Sequence, residues 1–324
     1  MSQMSELMRE SIDYAGLFPP ASLSLDDVVN NYHRYVNSVE QSMLGRLIIP
    51  ASRLSEFSAL RRSQISVLPS PIRPWRISAL LPPIESPHVE NRFQKFDAAI
   101  ELIQKFNAPG NQENTANDIA DAIEVKTPDL EIMEATIDRL PLGIQSFLEL
   151  PHAEDPVKLV QRLKSDTSKK DLNAKIRTGG TTPSLIPSPA EVARFIWNCT
   201  QSNVSFKATA GLHHPIRNDY RLTYETDSQT ATMFGFLNVF YATLMSREHA
   251  LDINELTKIL SAKDPSLFGA NENEIFWGDF KVQAERIKSL RLQSIISFGS
   301  CSFLEPTTEL QDMPGQNRQS LFPA

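Results

Sequence analysis

Short apolar runs alternate with longer amphipathic stretches along most of the chain. Compact apolar runs bounded by Gly, Pro or polar clusters mark strands, and apolar residues three and four apart mark helices. By that criterion strands fall at 11–18, 46–49, 76–81, 121–126, 144–150, 174–178, 204–209 and 294–298. Helices are predicted at 25–44, 52–62, 91–106, 128–139, and onward from Asp155 and from Ser188. Their start signals are explicit. Ser24 can cap the first, Pro128 opens the fourth, and Asp155 with Pro156 opens the next. Ser188, Pro189 and Glu191 supply cap, first-turn proline and capping-box acid together. Residues 91–106 place Phe93, Phe96, Ile100 and Ile103 on one face. The segment 230–291 reads as two or three helices, 109–117 as a polar loop, and 306–324 as a short helix with a loose tail.

Eight strands, each followed by helical or loop material, imply a parallel sheet. Eight such units in a chain somewhat over ~250 residues predict an α/β fold of one particular kind: a single (β/α)8 TIM barrel, with extra helices between strands 7 and 8. An open doubly wound sheet would want Gly-x-Gly-x-x-Gly after its first strand, where the chain offers only Gly16. One domain over 1–324 is expected, with a lid insertion at about 216–290. No repeat of solenoid period is present.

Composition narrows the partners. With 39 acidic against 32 basic residues, a net charge of −7 disfavours nucleic acid and anionic membranes. Two cysteines, Cys199 and Cys301, make neither a disulfide framework nor a cysteine zinc site. The first ten residues lack the apolar core of a signal peptide. The apolar run 231–245 is too short to span a bilayer and contains Asn238, so a buried helix is expected. The expectation is a cytoplasmic protein acting on a small molecule.

Two predicted strands carry a lysine and then break at glycine: Lys175-Ile-Arg-Thr-Gly-Gly180 and Phe206-Lys-Ala-Thr-Ala-Gly211. In a (β/α)8 barrel the active site lies at the C-terminal strand ends, here Asp13, Glu124, Lys126, Glu149, Lys175, Arg177, Lys207 and Gly299. Strand residues two apart share a face, which groups Lys175 with Arg177 and Lys207 with Gly211. An unpaired buried ammonium tends to lose its proton, and neighbouring lysines depress one another. A neutral amine attacks a carbonyl to form a Schiff base, and Glu124 could shuttle the protons. Structural ion pairs with Glu124 and Glu149 are the alternative. Gly211, Gly299, Ser300 and Ser302 suit either a phosphate-binding loop or ordinary tight turns. His213, His214 and His152 with Glu149 have the chemistry of metal ligands. Adjacent histidines on an extended strand point to opposite faces, however, and a catalytic or hydrogen-bonding role is the alternative.

Taken in order, these motifs resemble those of deoxyribose-phosphate aldolase, a class I aldolase family on a (β/α)8 barrel. The family's Lys-Thr-Ser-Thr-Gly is matched by Lys175-Ile-Arg-Thr-Gly179, and Phe-Lys-Pro-Ala-Gly-Gly by Phe206-Lys-Ala-Thr-Ala-Gly211. Phe-Gly-Ala-Ser-Ser is matched by Phe298-Gly-Ser-Cys-Ser302, Ile-Asp-His-Thr-Leu-Leu-Lys-Pro by Ile12-Asp-Tyr-Ala-Gly-Leu-Phe-Pro19, and Asp-x-Val-Asp-Val by Asp121-Ala-Ile-Glu-Val125. The resemblance implies Lys175 as the Schiff-base lysine, Lys207 as the neighbour that lowers its pKa, and Glu124 as the proton relay. Asp13 would contact a substrate hydroxyl, while Gly211, Gly299 and Cys301 or Ser302 would lie at a phosphate site. No cofactor is implied. Departures are Glu124 for aspartate, Arg177 for serine, Gly180 for lysine, and the unmatched His213-His214. Arg177 and Lys126 favour a carboxylate or other anion at the mouth. Three expectations follow: a Schiff-base lyase on a small anionic carbonyl compound (sugar phosphate or keto acid), a metal-dependent lyase or isomerase using His213 and Glu149, or a non-catalytic ligand-binding barrel.

Overall fold

A computed structural model describes residues 3–65, 74–84, 91–114, 116–152, 155–314 and 321. Seven strands come first: β1 (Ile12–Tyr14), β2 (Leu44–Pro50), β3 (Arg76–Leu80), β4 (Ile119–Lys126), β5 (Gln145–Glu149), β6 (Asp171–Arg177) and β7 (Phe206–Thr209). A two-stranded ribbon follows, β8 (Asn218–Arg221) with β9 (Thr230–Met233), then a three-stranded antiparallel sheet of β10 (Phe268–Ala270), β11 (Glu274–Trp277) and β12 (Phe280–Gln283). The last strand is β13 (Ile295–Ser300). It pairs in parallel with both β7 and β1 and closes the barrel, whose strand order is β1-β13-β7-β6-β5-β4-β3-β2. The predicted (β/α)8 barrel is therefore the fold.

The predicted helices form where their start signals lie. Ser24 accepts a hydrogen bond from Asp27 N at the start of Leu25–Tyr35, and Ser188 and Glu191 close a capping box on Pro189–Ser202. Gln94–Asn107 buries Phe96, Ile100 and Ile103, the stripe expected of it. Burying such a side chain contributes about 1.5–3 kcal/mol, so this face fixes the helix to the barrel far more firmly than intrinsic propensity does. Aromatic rings join strands to helices on the other side. Phe206 meets Phe195 edge to face at 5.2 Å, and Phe298 lies against Phe236 at 5.0 Å and Phe240 at 5.9 Å.

Three expectations need correction. The first strand is three residues long rather than eight, because the chain leaves the sheet after Tyr14 and turns toward the mouth. The first helix stops at Tyr35, and a 3-10 turn at Val39–Met43 leads into β2, whose Leu44 must pair with Ile12. The segment after β7 contains five short strands besides its helices, Phe236–His249, Ile253–Ser261 and Ala284–Leu292. Those helices pack on one another and on Pro189–Ser202, in the outer helical layer. Asn238, the polar residue in the apolar run, earns its burial by accepting from Arg217 N at 2.8 Å and donating to the carbonyls of Ile259 and Ala262. The C-terminal helix forms at Leu304–Gln311, while most of the predicted tail lies outside the described residues. No described helix is long and apolar enough to cross a membrane.

Candidate active site

Strand register builds the site. Lys175 on β6 pairs with Lys207 on β7 and with Glu149 on β5; Glu149 pairs with Lys126 on β4. Paired residues of neighbouring parallel strands point to the same face. Glu124 from β4 and Asp13 from β1 come in across the barrel. The result is an alternating chain of charge. Lys207 Nζ lies 2.5 Å from Asp13 Oδ2 and 2.5 Å from Glu124 Oε1. Lys175 Nζ lies 2.9 Å from Glu124 Oε2 and 2.8 Å from Glu149 Oε2, and Arg177 Nε stands 3.7 Å from Glu149 Oε1. Each lysine thus takes one oxygen of Glu124.

The remaining lone pairs are also used. Ser78 Oγ donates to Glu124 Oε1 at 2.7 Å, Ser297 Oγ to Asp13 Oδ2 at 2.7 Å, and Arg46 N to Asp13 Oδ1 at 2.7 Å. That last contact explains Gly45: a Cβ there would overlap Asp13 Oδ1. Lys207 is fully buried and its ammonium lies 5.5 Å from the centre of the Phe147 ring.

Electrostatics follow from this interleaving. Burial alone would raise the Glu124 pKa, but Lys175 and Lys207 outweigh it and hold the carboxyl well below the usual range. Burial would likewise lower Lys175, and Glu124 and Glu149 outweigh that too, so its pKa stands above the ordinary lysine value. Glu149, nearest Lys175, is lowered in the same way. The expected mutual depression of two adjacent amines is therefore overturned: a carboxylate stands between them, and Lys175 is an ammonium at rest.

A cavity of about 430 Å³ opens above this chain at the C-terminal end of the barrel. Its lining includes the charged side chains of Glu124, Lys126, Glu149, Lys175 and Arg177. Apolar side chains of Phe18, Ile48, Leu80, Leu81, Leu185 and Met233 line it too. Of the residues singled out in the sequence, Gly211, His213, Gly299 and Cys301 also reach this wall.

Others do not reach it. Asp13 and Lys207 lie below the cavity, so Asp13 anchors Lys207 rather than a substrate hydroxyl. Ser300 Oγ faces His213 Nδ1 at 3.4 Å, and Ser302 Oγ accepts from Glu305 N at the start of the C-terminal helix. Gly211 (φ +75°) packs back to back with Gly179, where a Cβ on either would come within 2.9 Å of the other's Cα. That close approach is what these glycines supply. Burial, with repulsion from His214, pushes the His213 pKa down to about 4, leaving a neutral ring. His152 Nδ1 sits 3.6 Å from Glu191, away from His213. The metal-ligating group that converges among the described residues is His214, Glu305 and Glu309, rather than His213 with Glu149.

Sequence reasoning missed Ser78 and Ser297, although each is a hydroxyl with apolar residues on both sides in its strand, Ile77 and Ala79 for the first, Ile296 and Phe298 for the second. It left Glu149 open between an ion-pair partner of the lysines and a metal ligand with His213, and the structure shows the ion pair with Lys175; which carboxylate meets which lysine depends on strand tilt and stagger. No family model matches the chain, and no curated protein or solved structure compared with it matches either.

Proposed function

We propose that the chain is a Schiff-base-forming carbon–carbon lyase of the class I aldolase type, with Lys175 as the nucleophile. The observation that carries this reading is the position of Lys175 on the cavity floor, between two carboxylates and within 3 Å of each. Lys175 first gives a proton to Glu149 Oε2. The neutral amine then attacks the substrate carbonyl carbon, and the carbonyl oxygen takes protons and leaves as water. Overall, an ammonium and a carbonyl become an iminium and water, with no change in charge. The carboxylates that hold the ammonium therefore hold the iminium equally well. A raised resting pKa adds to the barrier of the first proton transfer without opposing the overall step. The iminium then accepts the electron pair released when the adjacent carbon–carbon bond breaks.

Glu149 suits the proton transfer better than Glu124. Glu124 is bound by two lysines and a serine, whereas Glu149 has one lysine and a more distant arginine. Glu124, tied to Lys207, positions Lys175. Arg177 and Lys126 fit a substrate carboxylate, and the apolar wall at Phe18, Ile48 and Leu81 fits a short hydrocarbon arm. A keto acid matches this lining better than a sugar phosphate, because the hydroxyls of Ser300 and Ser302 already have protein partners.

A second reading is favoured by the complete pairing of Lys175: a barrel that binds a ligand and performs no chemistry. Borohydride reduction in the presence of a panel of keto acids and aldehydes separates the two. The expected result is a covalent adduct mapped by mass spectrometry to Lys175. Absence of adduct across the panel overturns the lyase and leaves the binding barrel.

A further inference from the structure

We propose that His214, Glu305 and Glu309 form a binding site for a divalent metal ion of the zinc class at the rim of the barrel mouth. Glu305 and Glu309 are one helical turn apart on Leu304–Gln311, so both project toward the same side of it. The chain after β7 brings His214 to meet them. Its Nδ1 lies 2.8 and 2.9 Å from the two oxygens of Glu309, and one ligand atom from each of the three residues falls within 4.8 Å of the others. Zinc ligands at 2.0–2.2 Å in tetrahedral array stand about 3.4 Å apart, so side-chain shifts of roughly 1 Å would close the set.

Three further features fit an ion rather than a chance pairing. The Tyr220 ring stacks on His214 at 3.5 Å and restricts the plane of the imidazole. Tyr224 OH donates to Glu305 Oε2 at 3.1 Å, an outer contact that aims the carboxylate. Among the described residues, the ion pairs to these two carboxylates come from His213 and His214, with no lysine or arginine. Among the described residues, no lysine or arginine supplies the positive charge that two facing carboxylates call for.

The site is open. Beside it lies a cavity of about 270 Å³, lined by His213, His214 and Glu305. His213 and Leu222 also line the active-site cavity, so the two spaces share a wall. Three protein ligands leave a fourth position for water or an incoming anion, the arrangement of catalytic rather than purely structural zinc. The inference does not rest on Schiff-base chemistry.

The test reads metal binding directly. Full-length protein stripped with EDTA is titrated with Zn²⁺ by calorimetry, and with Co²⁺ by visible absorption. The expected result is one ion per chain with a Kd of about 1 μM or tighter. His214→Ala and Glu309→Gln should each weaken binding by about tenfold or more. His249→Ala, whose ring contacts Lys281 O elsewhere, should leave it unchanged. Glu309→Gln keeps side-chain shape, so circular dichroism of that variant separates loss of a ligand from loss of fold. No binding by the stripped wild type, or equal binding by wild type and both ligand variants, overturns the site and leaves a plain histidine–glutamate pair.

Discussion

The two ends of the barrel both carry buried charge, in different currencies. At the N-terminal end Arg46 donates to both oxygens of Asp121, at 2.6 and 3.2 Å, and to Gln145 Oε1 at 3.1 Å. Arg76 joins the same carboxylate at 2.7 Å and reaches Glu10 at 3.0 Å. At the C-terminal end the fully enclosed cations are lysines, threaded between Asp13, Glu124 and Glu149. A guanidinium is a rigid fork that keeps its proton in a protein, while an ammonium is a point charge that can lose one. Arginine thus stands where strands β2, β3, β4 and β5 must be tied together and nothing else is asked. Lysine stands where a cavity opens over the charge. Burying ions costs enough that a fold gains little by it, so a chain of five beneath a cavity is better explained by chemistry than by stability.

The largest effect should come from exchanging the two kinds of cation. Lys175→Arg keeps a positive charge between Glu124 and Glu149 but removes the amine proposed as nucleophile, so the borohydride adduct and turnover should vanish while the protein stays folded. Arg46→Lys at the other end should leave the adduct in place. An adduct surviving in Lys175→Arg would move the nucleophile elsewhere and dissolve the contrast.

Next in size is removal of a cation at the top. Lys207→Met leaves Glu124 and Asp13 facing each other without the ammonium that separates them. Breaking a buried pair in this way costs about 3–5 kcal/mol, readable as a fall in the urea midpoint. A loss below about 1 kcal/mol would mean that the carboxylates find water, and that the region is less dry than its burial implies.

How much of this was legible depends on the range of the signal. Period-two and helical patterning acts within a segment, and it located all eight barrel strands and put Lys175 and Lys207 among the strand ends of one mouth. The interleaving of Glu124 between them is set by barrel stagger, which no local pattern encodes. The insertion is a different case, because a signal was present and passed over. Glu274-Ile-Phe-Trp277 and Phe280-Lys-Val-Gln283 flank Gly278-Asp279, and the structure makes them a hairpin with Trp277 opposite Phe280 and Gly278 at φ +57°. Reading 230–291 as two or three helices, with no strand among them, let the strong apolar run at Phe236–His249 dominate its neighbours.

Acid should sharpen the contrast through titration. Glu124 and Glu149 hold their protons off to lower pH than the ordinary carboxyl near ~4.3, so below that value the unfolded chain binds more protons and stability falls. His213, lowered to about 4, adds a shallower loss that begins near the ordinary histidine value of ~6.5. Lys175 is raised, so its contribution holds below the ordinary ~10.4 and is lost as pH climbs through its folded value. Urea midpoints should form a plateau between about pH 6.5 and 8.5 with two falling flanks, the upper one opened by Cys199 and Cys301, whose thiol pKa values burial raises, and deepened by Lys175. His213→Gln should remove the shallow part of the acid flank and leave the steep part. An unchanged flank in that variant would place the titrating group elsewhere.

The smallest effect should come from the exposed margin of the lower network. Arg76 and Glu10 are each about half exposed, with side-chain accessibilities of 45% and 54%. Water screens their attraction, and both side chains give up rotamer freedom to meet, so such pairs contribute about 0–1 kcal/mol. Arg76→Ala should therefore lower stability by less than ~1 kcal/mol, because Arg46 still holds Asp121. The loss should shrink further in molar salt, where the Debye length falls to about 3 Å. Denaturation of Arg76→Ala and Lys207→Met side by side at low and high salt measures the comparison directly. Similar losses with similar salt dependence would mean that the two ends differ in residue type alone, and the case for lysine as a mover of protons would rest on the adduct by itself.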